Sequence, residues 1–125
     1  MFVNDLRLAV AEAIRRVRHQ VAWKPGKDLI HFKKRQALGH LGATTTLDDY
    51  NRLIQAVVED PRPRVYVYRA RGSVYAAVRG NLDRPWLTIF SLAGIMEAAF
   101  PPDDIEGYLA QAGFTEMGTV EELLR

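Results

Sequence analysis

Apolar residues fall first at helical spacing. Leu6, Val10, Ile14, Val17 and Val21 lie four, four, three and four apart, which draws one stripe along a helix over about 4–21. Asn4 is its expected N-cap, and Asp5 suits the positive end of its dipole. Pro25-Gly26 marks a turn. A second helix is expected from about Asp28 to Leu38, with Asp28 as cap and Gly39 as a left-handed stop. Ile30, Phe32, Ala37 and Leu41 are its inward residues. Thr46 and Asp49 form a capping box that opens a third helix, whose stripe is Tyr50, Leu53, Ile54, Val57 and Val58. Asp60-Pro61-Arg62-Pro63 ends it, because proline cannot continue a helix.

The period then changes from 3.6 to 2. Arg64–Ala70 and Ser73–Arg79 are rich in Val and Tyr and read as strands, with Arg71-Gly72 as a tight hairpin between them. Trp86–Ser91 and Ile95–Phe100 are two more. A helix over about 104–112 is stopped by Gly113, and a last short helix covers about 119–124. The pattern predicts one α+β domain over 1–125: N-terminal helices (about 4–59) packed on a four-stranded antiparallel meander (about 64–100), with short C-terminal helices (about 103–124).

Composition excludes more than it adds. The chain has 125 residues, 48% hydrophobic and 26% charged, as in ordinary globular proteins. No apolar run reaches the roughly 18 residues of a membrane span. There is no cysteine, which rules out a disulfide scaffold, a thiol nucleophile and thiolate metal sites. Three His with scattered acids make no ligand cluster, and no glycine-rich phosphate loop follows a strand, so neither metal nor cofactor is expected. With no secretory h-region and no cysteine, a cytoplasmic location is expected.

Charge changes the picture further. Residues 1–35 hold nine Lys or Arg and three acids, while the stretch from Glu97 to Arg125 holds seven acids and one base. Residues 61–84 are basic again, through Arg62, Arg64, Arg69, Arg71, Arg79 and Arg84. If the two basic segments meet, they suit a phosphate-rich partner.

The concentrated chemistry is His31-x-x-Lys34-Arg35, three residues on one helix face. RNA cleavage without a metal needs a base for the ribose 2′-hydroxyl, an acid for the leaving 5′-oxygen and cations for the charged intermediate. Imidazole can take either proton role near neutral pH. Lys34 and Arg35, with neighbouring Lys33, can hold a phosphate, and Arg69, Arg71 or Arg79 can complete a clamp from the sheet. The same residues also suit a solvated helix face. His40 can fold back over this site, and His19 among arginines reads as an electrostatic contact. Tyr66 and Tyr68 alternate with Val65 and Val67, so one tyrosine face can stack unpaired bases or fill a core.

The order of these parts resembles the barnase/EndoU/colicin/RelE-like nuclease superfamily, in its phage and polymorphic-toxin forms. The likeness runs over about 28–102. It rests on His31-x-x-Lys34-Arg35, then a helix opened by Thr46-Leu47-Asp48-Asp49-Tyr50, then four strands ending in Ala98-Ala99-Phe100-Pro101. It implies a metal-independent ribonuclease, often a toxin acting on tRNA, with His31 as acid or base and Lys34 and Arg35 on phosphate. Where such chains often carry a hydroxyl in the last strand, this one has Met96-Glu97-Ala98. Glu97 then stands as a possible general base with His31 as the acid, or marks a fold that has lost its activity; Ser91 or Thr88 is the substitute hydroxyl. The expected partner is RNA, with a protein inhibitor as a second and no membrane. The rival readings are an RNA-binding module without catalysis and a protein-interaction domain whose acidic tail can also cover the basic face in cis.

Overall fold

In the computed structural model, which describes residues 2–125 and the side chains from residue 5 onward, the N-terminal stripe forms helix α1 (Phe2–His19). Val10, Ile14 and Val17 are fully buried along it. The helix begins ahead of the expected cap, so Asn4 lies inside the first turn, and its side chain is outside the described residues. Two arginines off the stripe bind neighbouring elements. Arg18 donates to the Val58 carbonyl at 2.7 Å and the Glu59 carbonyl at 3.1 Å, and Arg7 donates to the Met117 carbonyl at 2.8 Å.

Helix α2 (Lys27–Ala37) starts after Gly26, whose φ of 81° occupies the cap position expected for Asp28. The Asp28 carboxylate accepts the Leu29 N–H instead. Gly39, with φ 76°, stops the helix as expected. Phe32 is buried, but Ile30 is 59% exposed. Only one side of α2 is covered, and Ile30 lies two positions, about 200°, from Phe32. Ala37 is exposed for the same reason.

Helix α3 (Leu47–Glu59) carries both arms of the predicted capping box. The Asp49 N–H donates to Thr46 Oγ1 at 3.1 Å, and the Thr46 N–H donates to the Asp49 carboxylate at 3.0 Å. Thr46→Ala is expected to cost about 1 kcal/mol of stability. A lower urea midpoint with an unchanged m-value would show it.

The four predicted strands form the antiparallel meander, as β2 (Arg64–Ala70), β3 (Ser73–Asn81), β4 (Pro85–Ser91) and β5 (Ile95–Phe100). Two further strands turn it into a six-stranded mixed sheet of order β1-β5-β4-β3-β2-β6. One is β1 (Ala22–Trp23), parallel to β5; the other is β6 (Phe114–Thr119), antiparallel to β2. A two-residue strand is too short to show a period, and β6 has too few apolar positions to show one. Arg71 (φ 51°) and Gly72 (φ 77°) make the hairpin turn with two left-handed residues, as the twist of paired strands favours.

Strand alternation gives the sheet two apolar faces. Val65, Val67, Ala76, Val78, Trp86 and Phe90 pack against α1 and α3. Tyr66, Ala77, Leu87 and Ile89 pack under the short helix α4 (Ile105–Leu109). Helix α5 (Val120–Leu124) closes the chain behind a second capping box, formed by Thr119 and Glu122. Among the described residues no helix is long and apolar enough to cross a membrane.

Candidate functional site

The site follows from how β5 is paired. Strand β1 covers it only at Ile95 and Met96, and α2 packs against the strand. On the other side, Phe90 pairs with Met96 and Ile89 pairs with Ala98, which leaves Glu97 as the extra residue of a bulge. A bulge re-aims a side chain out of the regular alternation, and the Glu97 charge acts on His31 of α2.

His31 is half-buried. Its ring lies 5.2 Å from that of Trp23, tilted by 32°. Trp23 is fixed in turn, because its Nε1 donates to Asn51 Oδ1 at 3.0 Å and its ring packs 5.9 Å from Tyr50. Tyr50 is fully buried and donates its hydroxyl to the Ala99 carbonyl at 2.6 Å. The phenol so ties α3 to β5 two residues from Glu97, and burial pushes its proton affinity well above that of a free tyrosine. Partial burial holds the His31 imidazole below its usual pKa, and the charges of Arg35 and Lys34 push the same way. Glu97 opposes them.

Past His31, residues from α2 to His40, the Phe100-Pro101-Pro102 segment and α4 line an open, shallow cleft of about 760 Å³. Lys34 and Arg35 line it. The Arg35 guanidinium lies 5.6 Å over the Phe100 ring and donates to His40 Nδ1 at 3.2 Å. Nδ1 is therefore an acceptor, and the proton of neutral His40 sits on Nε2. Burial, then the charges of Arg35 and Arg84, hold His40 below its usual pKa, with Asp103 opposing. His40 thus does fold back beside the α2 cations. The signal was Gly39, which reverses the chain directly before it.

Other expected members stand apart. The sheet arginines complete no clamp with α2. Arg69 lies on β2, three strands from β5 in the sheet, and Arg71 is exposed in the hairpin turn. Arg79 lies on the α4 face and pairs with Glu106 at 2.8 Å, a hydrogen bond that raises its proton affinity. Tyr66 and Tyr68 form no open stacking surface. Tyr66 is buried, and the Tyr68 ring stacks 4.2 Å from Phe114, so the tyrosine face is a second core. The sequence pattern did not reveal this because β6, which supplies Phe114, was not legible. Thr88 is buried on the Val78 carbonyl, and Ser91 accepts the Ile95 N–H, so both hydroxyls are engaged in the sheet. Lys33 is exposed on α2. Nor does the second basic segment present a bare basic face: Arg64 pairs with Glu116 at 2.7 Å and Arg79 with Glu106, both acids from the C-terminal segment.

Among the described residues no group of three or more His, Asp or Glu is gathered as metal ligands would be. Lys34 and Arg35 line the cleft together with His40, whereas His31, packed on Trp23, and Glu97 do not line it. Comparison with family models, with curated proteins and with solved structures finds no match for the chain.

Proposed function

We propose that the chain is a metal-independent endoribonuclease, toxin-like in type and with tRNA among its candidate substrates, acting where α2 meets β5. The observation that supports this is helix α2, which carries His31, Lys34 and Arg35 within two turns, with Glu97 as the extra residue of the bulge in β5. At neutral pH an imidazole of lowered pKa is uncharged, so His31 accepts the proton of a ribose 2′-hydroxyl. The freed oxygen attacks phosphorus. The imidazolium, stabilised by the Glu97 carboxylate, holds the proton that the 5′-oxygen needs to leave. Lys34 and Arg35 counter the charge on the phosphoryl oxygens, the electrostatic part of such catalysis. The product is a 2′,3′-cyclic phosphate. This assigns Glu97 to support of His31 rather than to the base role.

The rival is an RNA-binding module without catalysis. The packing of His31 on Trp23 favours it, since that contact holds the ring whether or not it reacts. A short RNA and the same RNA with a single 2′-deoxy residue 5′ of the cut separate the two readings. Cleavage of the first to a cyclic phosphate and resistance of the second are expected. Equal cleavage of both, or 5′-phosphate ends on the downstream fragment, would exclude attack by the 2′-hydroxyl; binding with both strands intact would leave the module.

A further inference from the structure

Arg35 is an unusual residue to find inside a domain of this size. It is 6% exposed, and its Nε is buried with no hydrogen-bond partner. Among the described residues its one side-chain hydrogen bond is to His40, a neutral acceptor. No carboxylate forms an ion pair with it among the described residues. A buried cation without a counter-ion is costly, and proteins ordinarily pair it. Arg35 and Lys34 both line the cleft of about 760 Å³. The size suits a small ligand. Part of the lining is of another kind: Phe100, the two prolines after it and the half-buried Tyr108 ring, which stands edge-on to Phe100 at 5.2 Å.

We propose that this cleft is a nucleotide subsite, holding one phosphate against Arg35 and Lys34 and the attached base against Tyr108 and the proline wall. The anion supplies the counter-charge that Arg35 lacks. Guanidinium is suited to it, because its planar fork matches phosphate oxygens. The flat apolar wall accepts a ring without reading its edge, as aromatic platforms for single strands do. Asp103 and Asp104 also line the cleft and disfavour a second phosphate beside them. The nucleotide can belong to an RNA strand whose scissile bond lies at His31, or be free. The choice of ligand class rests on the ribonuclease reading of the neighbouring helix face.

Binding can be tested without cleavage. The probes are deoxyadenosine 3′-monophosphate, deoxyadenosine, inorganic phosphate and a four-residue oligodeoxyadenylate, none of which carries a 2′-hydroxyl. Calorimetry on the full chain should show the mononucleotide binding at least tenfold more tightly than phosphate or nucleoside alone. Arg35→Met, which keeps volume and removes charge, and Tyr108→Ala should each weaken it about tenfold or more. If Arg35→Met fails to fold, Tyr108→Ala decides. Tighter binding of the oligonucleotide would identify a strand as the source; binding of the mononucleotide alone would identify a free nucleotide. No binding of either, or binding that neither variant weakens, overturns the proposal. Cleavage of RNA without nucleotide binding would sink the subsite and leave the nuclease. Nucleotide binding with RNA intact would do the reverse.

Discussion

His31→Ala is expected to slow RNA cleavage by about 10²- to 10⁴-fold, the span that a positioned proton-transfer group contributes. The fold should survive, because the ring is only half-buried and forms no side-chain hydrogen bond among the described residues. The pH profile carries more information than the rate. A base must be unprotonated, so the rate of the parent protein should rise with pH through the His31 pKa. Burial, Arg35 and Lys34 lower that pKa, which places the midpoint below the 6.5 of free imidazole. Glu97 is the group that raises it. Glu97→Gln should therefore move the rising limb to lower pH, and should also lower the plateau by removing the charge that stabilises the imidazolium. An immobile limb, or one that moves to higher pH, would show that Glu97 does not act through His31.

Tyr50→Ala is expected to destabilise the domain by about 3–5 kcal/mol, as large aromatic truncations in cores do. Against a total of about 5–15 kcal/mol for a typical domain, that is a large share. The residue is fully buried, contacts the rings of Trp23 and Phe32, and satisfies the Ala99 carbonyl. The truncation leaves a cavity and an unpartnered acceptor together. Tyr50→Phe separates the two contributions, since it keeps the ring and loses only the hydrogen bond; about 1–3 kcal/mol is expected for the carbonyl left alone. Urea unfolding of the three proteins measures both. A loss under 1 kcal/mol in Tyr50→Ala would mean that this junction does not hold α3 to β5.

Much of the fold was legible because its elements carry strong local signals. The α1 and α3 stripes, the Thr46–Asp49 box and the Arg71-Gly72 turn each have a physical reason that acts within a few residues. What was not legible depends on pairing across the chain. Strand β1 exists only because Ala22 and Trp23 meet β5 more than 70 residues later. Strand β6 follows from its place beside β2. The candidate site divides in the same way. Helical spacing alone puts His31, Lys34 and Arg35 on one helix face. Glu97 was visible as an odd residue in a strand, but the bulge that turns it out of register was not. Charge was legible only as alternatives. A basic face and an acidic tail that covers it in cis were both open along the sequence, and the fold returns the C-terminal segment to Arg64 and Arg79 and pairs each with a glutamate. Arg35, one more cation in a basic run, is the buried one with no ion pair among the described residues, and only the packing of α2 reveals it.

The most direct test of the central claim is a gel assay of the purified chain on total tRNA and a generic single-stranded RNA, with EDTA present and His31→Ala alongside. Cleavage by the parent that survives EDTA and vanishes in the variant is the predicted result. RNA left intact by the parent, or cut equally by His31→Ala, would contradict it.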